Sequence, residues 1–313
     1  MTSKIKLTFL GTADSIPSAR RNHSAVLLTY EGENILFDCG EGTQRQFRKA
    51  GLNPGRVTRI LISHWHGDHV LGLPGLLQTL SLSGYNRKLF IYGPQGTKTF
   101  VRELLNVFNF SKNYEIVVEE VAVPKGMTSS AKTGGLKFFE ARDFYLEARE
   151  MTHGIPCNAY SFVKKGLVRI DKKKLKKSGL PEGTLVGDLK KGKDVIHNGK
   201  RFRAKDFLYT DKDLKISVVF DTGMNRKIVP FVKNSNVLVS EASFGGELKK
   251  NAKEHDHLTS EQAARIAKDA KVGKLILTHI SQRYENDLKK ILNEAKKIFK
   301  NSEVVKDLDV VEI

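Results

Sequence analysis

The densest chemistry in the chain lies at Ser63-His64-Trp65-His66-Gly67-Asp68-His69, where three imidazoles and a carboxylate fall within six positions. His64 and His66 flank one residue at the end of a short aliphatic run, Arg59 to Ile62, so on an extended backbone their side chains leave the same face. Asp68 and His69 follow where the chain turns into a helix, so two ligand pairs diverge from one loop. A lone His-x-His is common on surfaces, whereas His-x-His-x-Asp-His after an aliphatic strand is a specific pattern for paired divalent cations. One loop cannot close two coordination shells, so further His and Asp are expected at other strand ends. His153 in EMTHGIP, Asp221 closing ISVVFD and His279 closing KLILTH supply them. Each alone reads as readily as a loop histidine, a turn former or a strand-end cap; together, in this order, they point to one site. Two cations held close together lower the pKa of a shared water and neutralise the oxygens of a phosphodiester, and imidazole-rich ligation favours zinc over magnesium.

Such residues must be aimed by strands. Lys4 to Leu10, Ser24 to Thr29, Asn34 to Phe37, Arg59 to Ile62 and Leu89 to Tyr92 are short aliphatic runs bounded by Gly, Asn or charged residues, which suits strands. Ile216 to Phe220, Asn236 to Ser240 and Lys274 to Thr278 repeat the pattern in the second half. Apolar residues at helical intervals predict helices over Val70 to Leu82, Lys98 to Phe108, Ser260 to Lys268 and Glu285 to Phe299. Thr259-Ser260-Glu261-Gln262 has the capping-box spacing, which makes Thr259 an N-cap. Strands and helices alternate, with strand runs clustered toward each end, so an α/β fold layered around two sheets is expected.

Composition narrows the partner. The 313 residues are 40% apolar, enough for a substantial core, and carry a net charge of +18, which favours a polyanion, nucleic acid ahead of an anionic membrane surface. No apolar run approaches the roughly 18–20 residues of a membrane span, and the N-terminal apolar segment is too short for a secretory signal, so a cytoplasmic location is expected. Cys39 and Cys157 stand singly, which leaves any metal site to His and Asp. Residues 164–205 break the rhythm with many Lys and Arg, few acids and little apolar periodicity. A stretch of this kind buries little of itself, yet Leu167, Val168, Ile170, Leu175, Leu180, Leu185, Val186 and Leu189 recur within it, so a small insertion with a positive face is expected rather than a linker.

The ordered ligand set resembles that of the metallo-β-lactamase superfamily, and four strings narrow the resemblance: FLGTADSIPSARRN, FDCGEGTQRQF, SHWHGDHVLGLPGLL and LTHISQRY. Together they resemble the ribonuclease Z family, endonucleases that mature the 3′ ends of transfer RNA precursors, over nearly the whole chain. The resemblance implies one metallo-β-lactamase αββα sandwich over residues 1–313, with a protruding basic arm inserted at 164–205. It implies two Zn2+ per subunit, one held by His64, His66 and His153, the other by Asp68, His69 and His279, with Asp221 bridging. Asp68 would orient or deprotonate the attacking water. His257, in EHDHLTSEQ, would donate a proton to the leaving 3′ oxygen, with His255 the alternative, and Glu241 would hold His257. The family's usual His-Glu-Ala-Thr reads Ser240-Glu241-Ala242-Ser243 here, and its Gly-Pro arm element reads Gly183-Thr184.

For the substrate, the resemblance implies that Pro17, Arg21 and Asn22 sense nucleotides beyond the cleavage point. The lysines Lys172, Lys173, Lys174, Lys176, Lys177, Lys190 and Lys191 would contact phosphates by shape and charge. Arg283 and Tyr284 either meet the acceptor end, by charge and stacking, or are a surface-turn residue and a core tyrosine. The partner implied is precursor tRNA, the assembly a homodimer, and no membrane is involved. A small-molecule hydrolase or general phosphodiesterase of the same superfamily is the competing class, and it would have no use for a Lys-rich arm.

Overall fold

The computed structural model describes residues 4–107, 113–122 and 134–313, and among these the aliphatic runs assemble into two seven-stranded sheets. In the first the order is Val310–Glu312, Ile5–Gly11, Ala25–Tyr30, Glu33–Phe37, Arg59–Leu61, Leu89–Gly93 and Ile116–Glu120, parallel from Glu33–Phe37 onward. In the second it is Ser302–Val304, Lys274–Thr278, Val237–Glu241, Leu214–Val219, Asn158–Lys164, Phe144–Glu150 and Leu136–Glu140, and the first four of these run parallel.

Alternation along each strand explains the layers. Leu27, Leu36, Ile60 and Ile91 share a core cluster with Phe47, Leu76, Leu77 and Val101, which belong to the helices Thr43–Lys49, Leu73–Leu82 and Thr97–Val107. Ala159, Val219, Leu238 and Leu277 do the same with residues of Ile228–Val232, Ser260–Asp269 and Leu288–Ile298. The intervening residues, Val26, Phe37 and Leu61 on one sheet and Tyr160, Phe162, Val218 and Val239 on the other, are equally buried. There the sheets meet: Tyr30 packs edge-on to Phe162 at 5.5 Å, and Phe138 lies between Tyr92 and Tyr160. Strands covered on both faces read as continuous apolar runs, which is why ISVVF and NVLVS show no alternation. The result is the helix–sheet–sheet–helix arrangement expected. Among the described residues no helix is long and apolar enough to cross a membrane.

Local differences from the sequence expectations have physical causes. The helix expected over Val70 to Leu82 is two pieces, Gly67–Val70 and Leu73–Leu82. Pro74 has no N–H to give the Val70 carbonyl and its ring would clash there, so the helix restarts with proline in its first turn. Gly72 also sits so close to Gly40 that a Cβ would lie 2.0 Å from the Gly40 carbonyl oxygen. The last helix starts at Leu288 rather than Glu285, because Asp287 caps it by accepting from the Lys290 N–H at 3.2 Å. Thr259 and Gln262 form the reciprocal capping box that their spacing predicts. The helix expected over Lys98 to Phe108 is Thr97–Val107, and Phe108 lies outside the described residues.

The chain divides into two compact units, Met1–Phe139 with Leu146–Phe162 and Lys215–Ile313, and Glu140–Tyr145 with Val163–Leu214. The second is wider than the segment 164–205 marked by composition, and it corrects the expectation that this segment buries little of itself. Ile170, Leu175, Leu180, Val186, Leu189, Val195, Phe202, Ala204 and Phe207 form its own core. Leu175 shows why composition misleads: in KKKLKKS it is the residue that the helix Lys172–Ser178 turns inward, while Asp171 caps the first turn by accepting from Lys173 and Lys174 N–H. The seven lysines expected to meet phosphate are all exposed on this unit.

Candidate metal centre

The ligand candidates cluster because parallel strands of both sheets end together. Asp38 follows Glu33–Phe37, His64 and His66 follow Arg59–Leu61, Asp221 follows Leu214–Val219, Glu241 ends its strand and His279 follows Lys274–Thr278. The carboxyl ends of parallel strands are where open α/β sheets place their ligand sites. His279 and Asp38 both adopt left-handed backbone, φ 54° and 55°, a conformation rarely held by non-glycine residues and one that turns each side chain sharply into the site. Gly40, in FDCGEG, lets this happen: a Cβ there would fall 2.4 Å from the Asp68 carbonyl oxygen.

Two donor sets result, His64 with His66, His153 and Asp221, and Asp68 with His69, His279 and Asp221. The two oxygens of Asp221 face different sets. Its Oδ2 lies 3.6 Å from His64 Nε2 and 4.0 Å from His153 Nε2, while its Oδ1 lies 3.4 Å from His69 Nε2 and 3.2 Å from His279 Nε2. Asp68 Oδ2 completes the second set at 3.2 Å from His69 Nε2 and 3.4 Å from His279 Nε2. Tetrahedral donors bound at 2.0–2.1 Å stand about 3.4 Å apart, so the second set already has the spacing of a coordination shell. His69 Nε2 and Asp221 Oδ1 are buried without a hydrogen-bond partner, which is costly unless a cation faces them. Burial and the neighbouring His69 push the His64 imidazole well below its ordinary pKa, leaving it neutral with a free lone pair. The residues present therefore fit divalent metal.

The groups behind the ligands set their orientation. Asp38 is fully buried and accepts a hydrogen bond from His69 Nδ1–H at 2.6 Å, while Ser63 N–H and Oγ–H both donate to Asp38 at 2.6 Å. His153 Nδ1 donates to the Asp256 carbonyl at 3.2 Å. Glu241, also fully buried, accepts from Thr222 N–H at 2.8 Å and Ser243 Oγ–H at 2.7 Å, and His257 Nδ1 lies 3.0 Å from its Oε2. Glu241, His257 and His279 lie close enough to resemble a third metal set, but hydrogen bonds through Ser243 already occupy that space. Asp38, Ser63 and Ser243 escaped the sequence reading, since Asp before Cys-Gly and Ser at a strand end are ordinary turn residues.

These groups open onto a cleft of about 630 Å3 lined by Asp14, Ile16, His66, His153, His257 and Arg283 among others. Burial lowers the His257 pKa, but the charge and hydrogen bond of Glu241, with Asp221, raise it to about 10. His255 is exposed at the same cleft, and among the described residues no carboxylate pairs with it. Burial pushes the Asp68 carboxyl up, while His279 and His69 beside its Oδ2, when protonated, pull it below the usual carboxylate range. Pro17 is exposed near this cleft, and the Arg283 guanidinium lies over the Phe244 ring at 5.3 Å.

Three residues expected at the substrate are buried within the fold. Arg21 is 3% exposed, and its guanidinium donates to the Thr12 carbonyl and hydroxyl and to the Val305 carbonyl. Asn22 is buried, with its backbone N–H on Asp307 and its side-chain amide on the Glu41 carbonyl. Both side chains are turned into the fold, where these donors bond to other parts of the chain. Tyr284 is the core tyrosine of its two readings: its hydroxyl accepts from Gly245 N–H and donates to Glu247.

Comparison with known proteins agrees with the geometry. A family model described as Anti-Pycsar protein Apyc1 matches residues 5–153. The ribonuclease Z of Methanococcus aeolicus is 38% identical over 307 residues, covering 97% of this chain and 92% of that protein. The crystal structure of human tRNase Z, short form, matches with a TM-score of 0.71 at 30% identity over 98% of each chain. The metallo-β-lactamase fold protein YhfI from Bacillus subtilis matches with a TM-score of 0.67 at 20% identity over the full length of both chains, which speaks to the fold alone.

Proposed function

The chain belongs to the ribonuclease Z family, and from that premise we propose that it is a zinc-dependent endoribonuclease that removes the 3′ trailer of precursor tRNA and leaves a 3′-hydroxyl on the tRNA. His64, His66 and His153 would hold one zinc ion, Asp68, His69 and His279 the other, and Asp221 both. Metal bound there supplies Lewis acidity, lowering the pKa of water and neutralising phosphate oxygens. The chain's own residues do the rest. Asp68, at the edge of the second donor set, orients the attacking water through its carboxylate and accepts the proton that the water loses. As the water oxygen bonds to phosphorus, the bond from phosphorus to the 3′ oxygen breaks, and His257 gives that oxygen a proton. His257 is suited to this because Glu241 occupies its Nδ1 and keeps the ring protonated, leaving Nε2–H as the donor.

The observation that carries the reading is Asp221, whose two carboxylate oxygens each face a separate donor set. The exposed lysines of the second unit, Lys172, Lys173, Lys174, Lys176, Lys177, Lys190 and Lys191, hold the body of the tRNA by its phosphates. Pro17 and Arg283 meet nucleotides beside the scissile bond. A homodimer acting in the cytoplasm, without a membrane partner, completes the reading that the family resemblance supports. The test is incubation of a 3′-extended tRNA precursor with the protein, with and without chelator. Release of an intact trailer, abolished by chelation and restored by zinc, is expected; hydrolysis of small esters or thioesters without RNA scission would overturn it.

A further inference from the structure

The metal centre is backed twice by the same small device. On one side Ser63 Oγ lies 3.0 Å from His64 Nδ1 and 2.6 Å from Asp38 Oδ2, and Asp38 holds His69. On the other, Ser243 Oγ lies 2.8 Å from His279 Nδ1 and 2.7 Å from Glu241 Oε2, and Glu241 holds His257. Ser63 and Ser243 are buried, and both carboxylates are fully so. A hydroxyl has a single hydrogen, and a carboxylate only accepts. The Ser243 hydrogen therefore goes to Glu241, and Ser243 must accept from His279. His279 then carries its proton on Nδ1 and presents the Nε2 lone pair to Asp68 and Asp221.

We propose that Ser243 is a positioning residue that fixes ligation through His279 Nε2 and ties the Asp68–His69–His279 set to the Glu241–His257 proton-donating pair. The two halves of the site then share one buried hydroxyl, so metal capture and proton donation are set by the same bond. Alanine at 243 would leave His279 Nδ1–H buried without an acceptor and strip Glu241 of one donor, freeing the ring to shift its proton to Nε2 and lose its lone pair toward the metal. Threonine keeps the hydroxyl and both bonds. The proposal rests on the metal-dependent reading of the site.

Metal-free protein is titrated with zinc against a chromophoric chelator, a readout that needs no RNA, for the parent, Ser243→Ala and Ser243→Thr. The parent is expected to bind two zinc ions per chain. Ser243→Ala should keep one site and lose about 10- to 100-fold in affinity at the other, the usual cost of removing a group that orients a metal ligand. Ser243→Thr should stay within about threefold of the parent at both. Melting temperatures of the three metal-free proteins separate folding from ligation, and Ser243→Cys, a poor acceptor, replaces alanine if that variant does not fold. Unchanged zinc affinities in Ser243→Ala would overturn the proposal, as would an equal loss in Ser243→Thr, which would make shape rather than the hydroxyl responsible. A parent that binds no zinc would overturn the metal reading itself, which separates that failure from the failure of this inference.

Discussion

Glutamine at position 241 should change the pH dependence of cleavage more than any other feature of the enzyme. Glu241 is fully buried, and its oxygens receive Thr222 N–H at 2.8 Å, Ser243 Oγ–H at 2.7 Å and His257 Nδ1–H at 3.0 Å. Burial alone drives His257 down, and the Glu241 charge and hydrogen bond lift it to about 10. Glu241→Gln keeps the shape, removes the Glu241 charge and leaves both the burial and the neighbouring Asp221, so His257 should fall from about 10 toward its ordinary 6.5. A complete fall to 6.5 would correspond to on the order of 4–5 kcal/mol between the two protonation states, the upper bound of the effect. Because the folded pKa lies above the unfolded one, this group's contribution to stability is complete below about 6.5 and is lost as pH rises through about 10, and the variant should lack that slope. The protonated ring is the donor, so the competent fraction of the variant should fall away at a lower pH than that of the parent, down to roughly one thirtieth at pH 8 if the fall to 6.5 is complete. Cations in the neighbouring sets lower both values together, which makes the separation of the two profiles the quantity to read. Single-turnover cleavage of a 3′-extended precursor from pH 6 to 10, at matched metal content, measures it. A basic limb at the same pH in both proteins would show that Glu241 does not hold His257 protonated.

Three further outcomes follow from the geometry. Burial pushes the Asp307 carboxyl up to about 6 against hydrogen bonds from Thr12 and Asn22, so its contribution to stability is present below about 4 and disappears as pH rises through 6. Urea unfolding of Asp307→Asn and parent should diverge in the variant's favour by about 2 kcal/mol between pH 4 and pH 7, and parallel curves would count against a perturbed carboxyl. Arg21→Ala should lose about 2–4 kcal/mol of stability with the KM for precursor within twofold of the parent, whereas a tenfold KM change at full stability would return Arg21 to the cleft. Replacing Lys172, Lys173, Lys176 and Lys177 by glutamine should raise the KM for precursor tRNA at least tenfold and flatten its salt dependence by about one logarithmic unit per lost phosphate contact. Hydrolysis of a small phosphodiester should not change, and equal losses on both substrates would remove these lysines from RNA recognition.

The candidate metal ligands were legible in the sequence because coordination tolerates few side chains and the fold delivers them mainly at strand ends, so His64, His66, Asp68, His69, Asp221 and His279 stand out against their aliphatic strands. The strands themselves were legible for the same reason, since ISVVF or KLILT has no other way to bury both faces. What escaped depends on direction rather than residue type. Arg21 and Tyr284 look like substrate contacts until their donors are found turned into the interior. Asp38, Ser63 and Ser243 look like turn residues until the buried imidazoles they hold are in place. The lysine-rich unit hid its core because each apolar anchor sits among charges, and only helix geometry sorts Leu175 and Leu189 inward from lysines outward.

In the proposed reaction water, rather than the neighbouring 2′-hydroxyl, attacks phosphorus and the bond to the 3′ oxygen breaks. Single-turnover cleavage of a precursor tRNA in 18O-enriched water, with mass spectrometry of both products, tests it directly. The expected products are an intact trailer carrying one 18O atom on its 5′-phosphate and a tRNA ending in an unlabelled 3′-hydroxyl. A tRNA ending in a cyclic or 3′-phosphate, or a ladder of mononucleotides in place of the trailer, would contradict it.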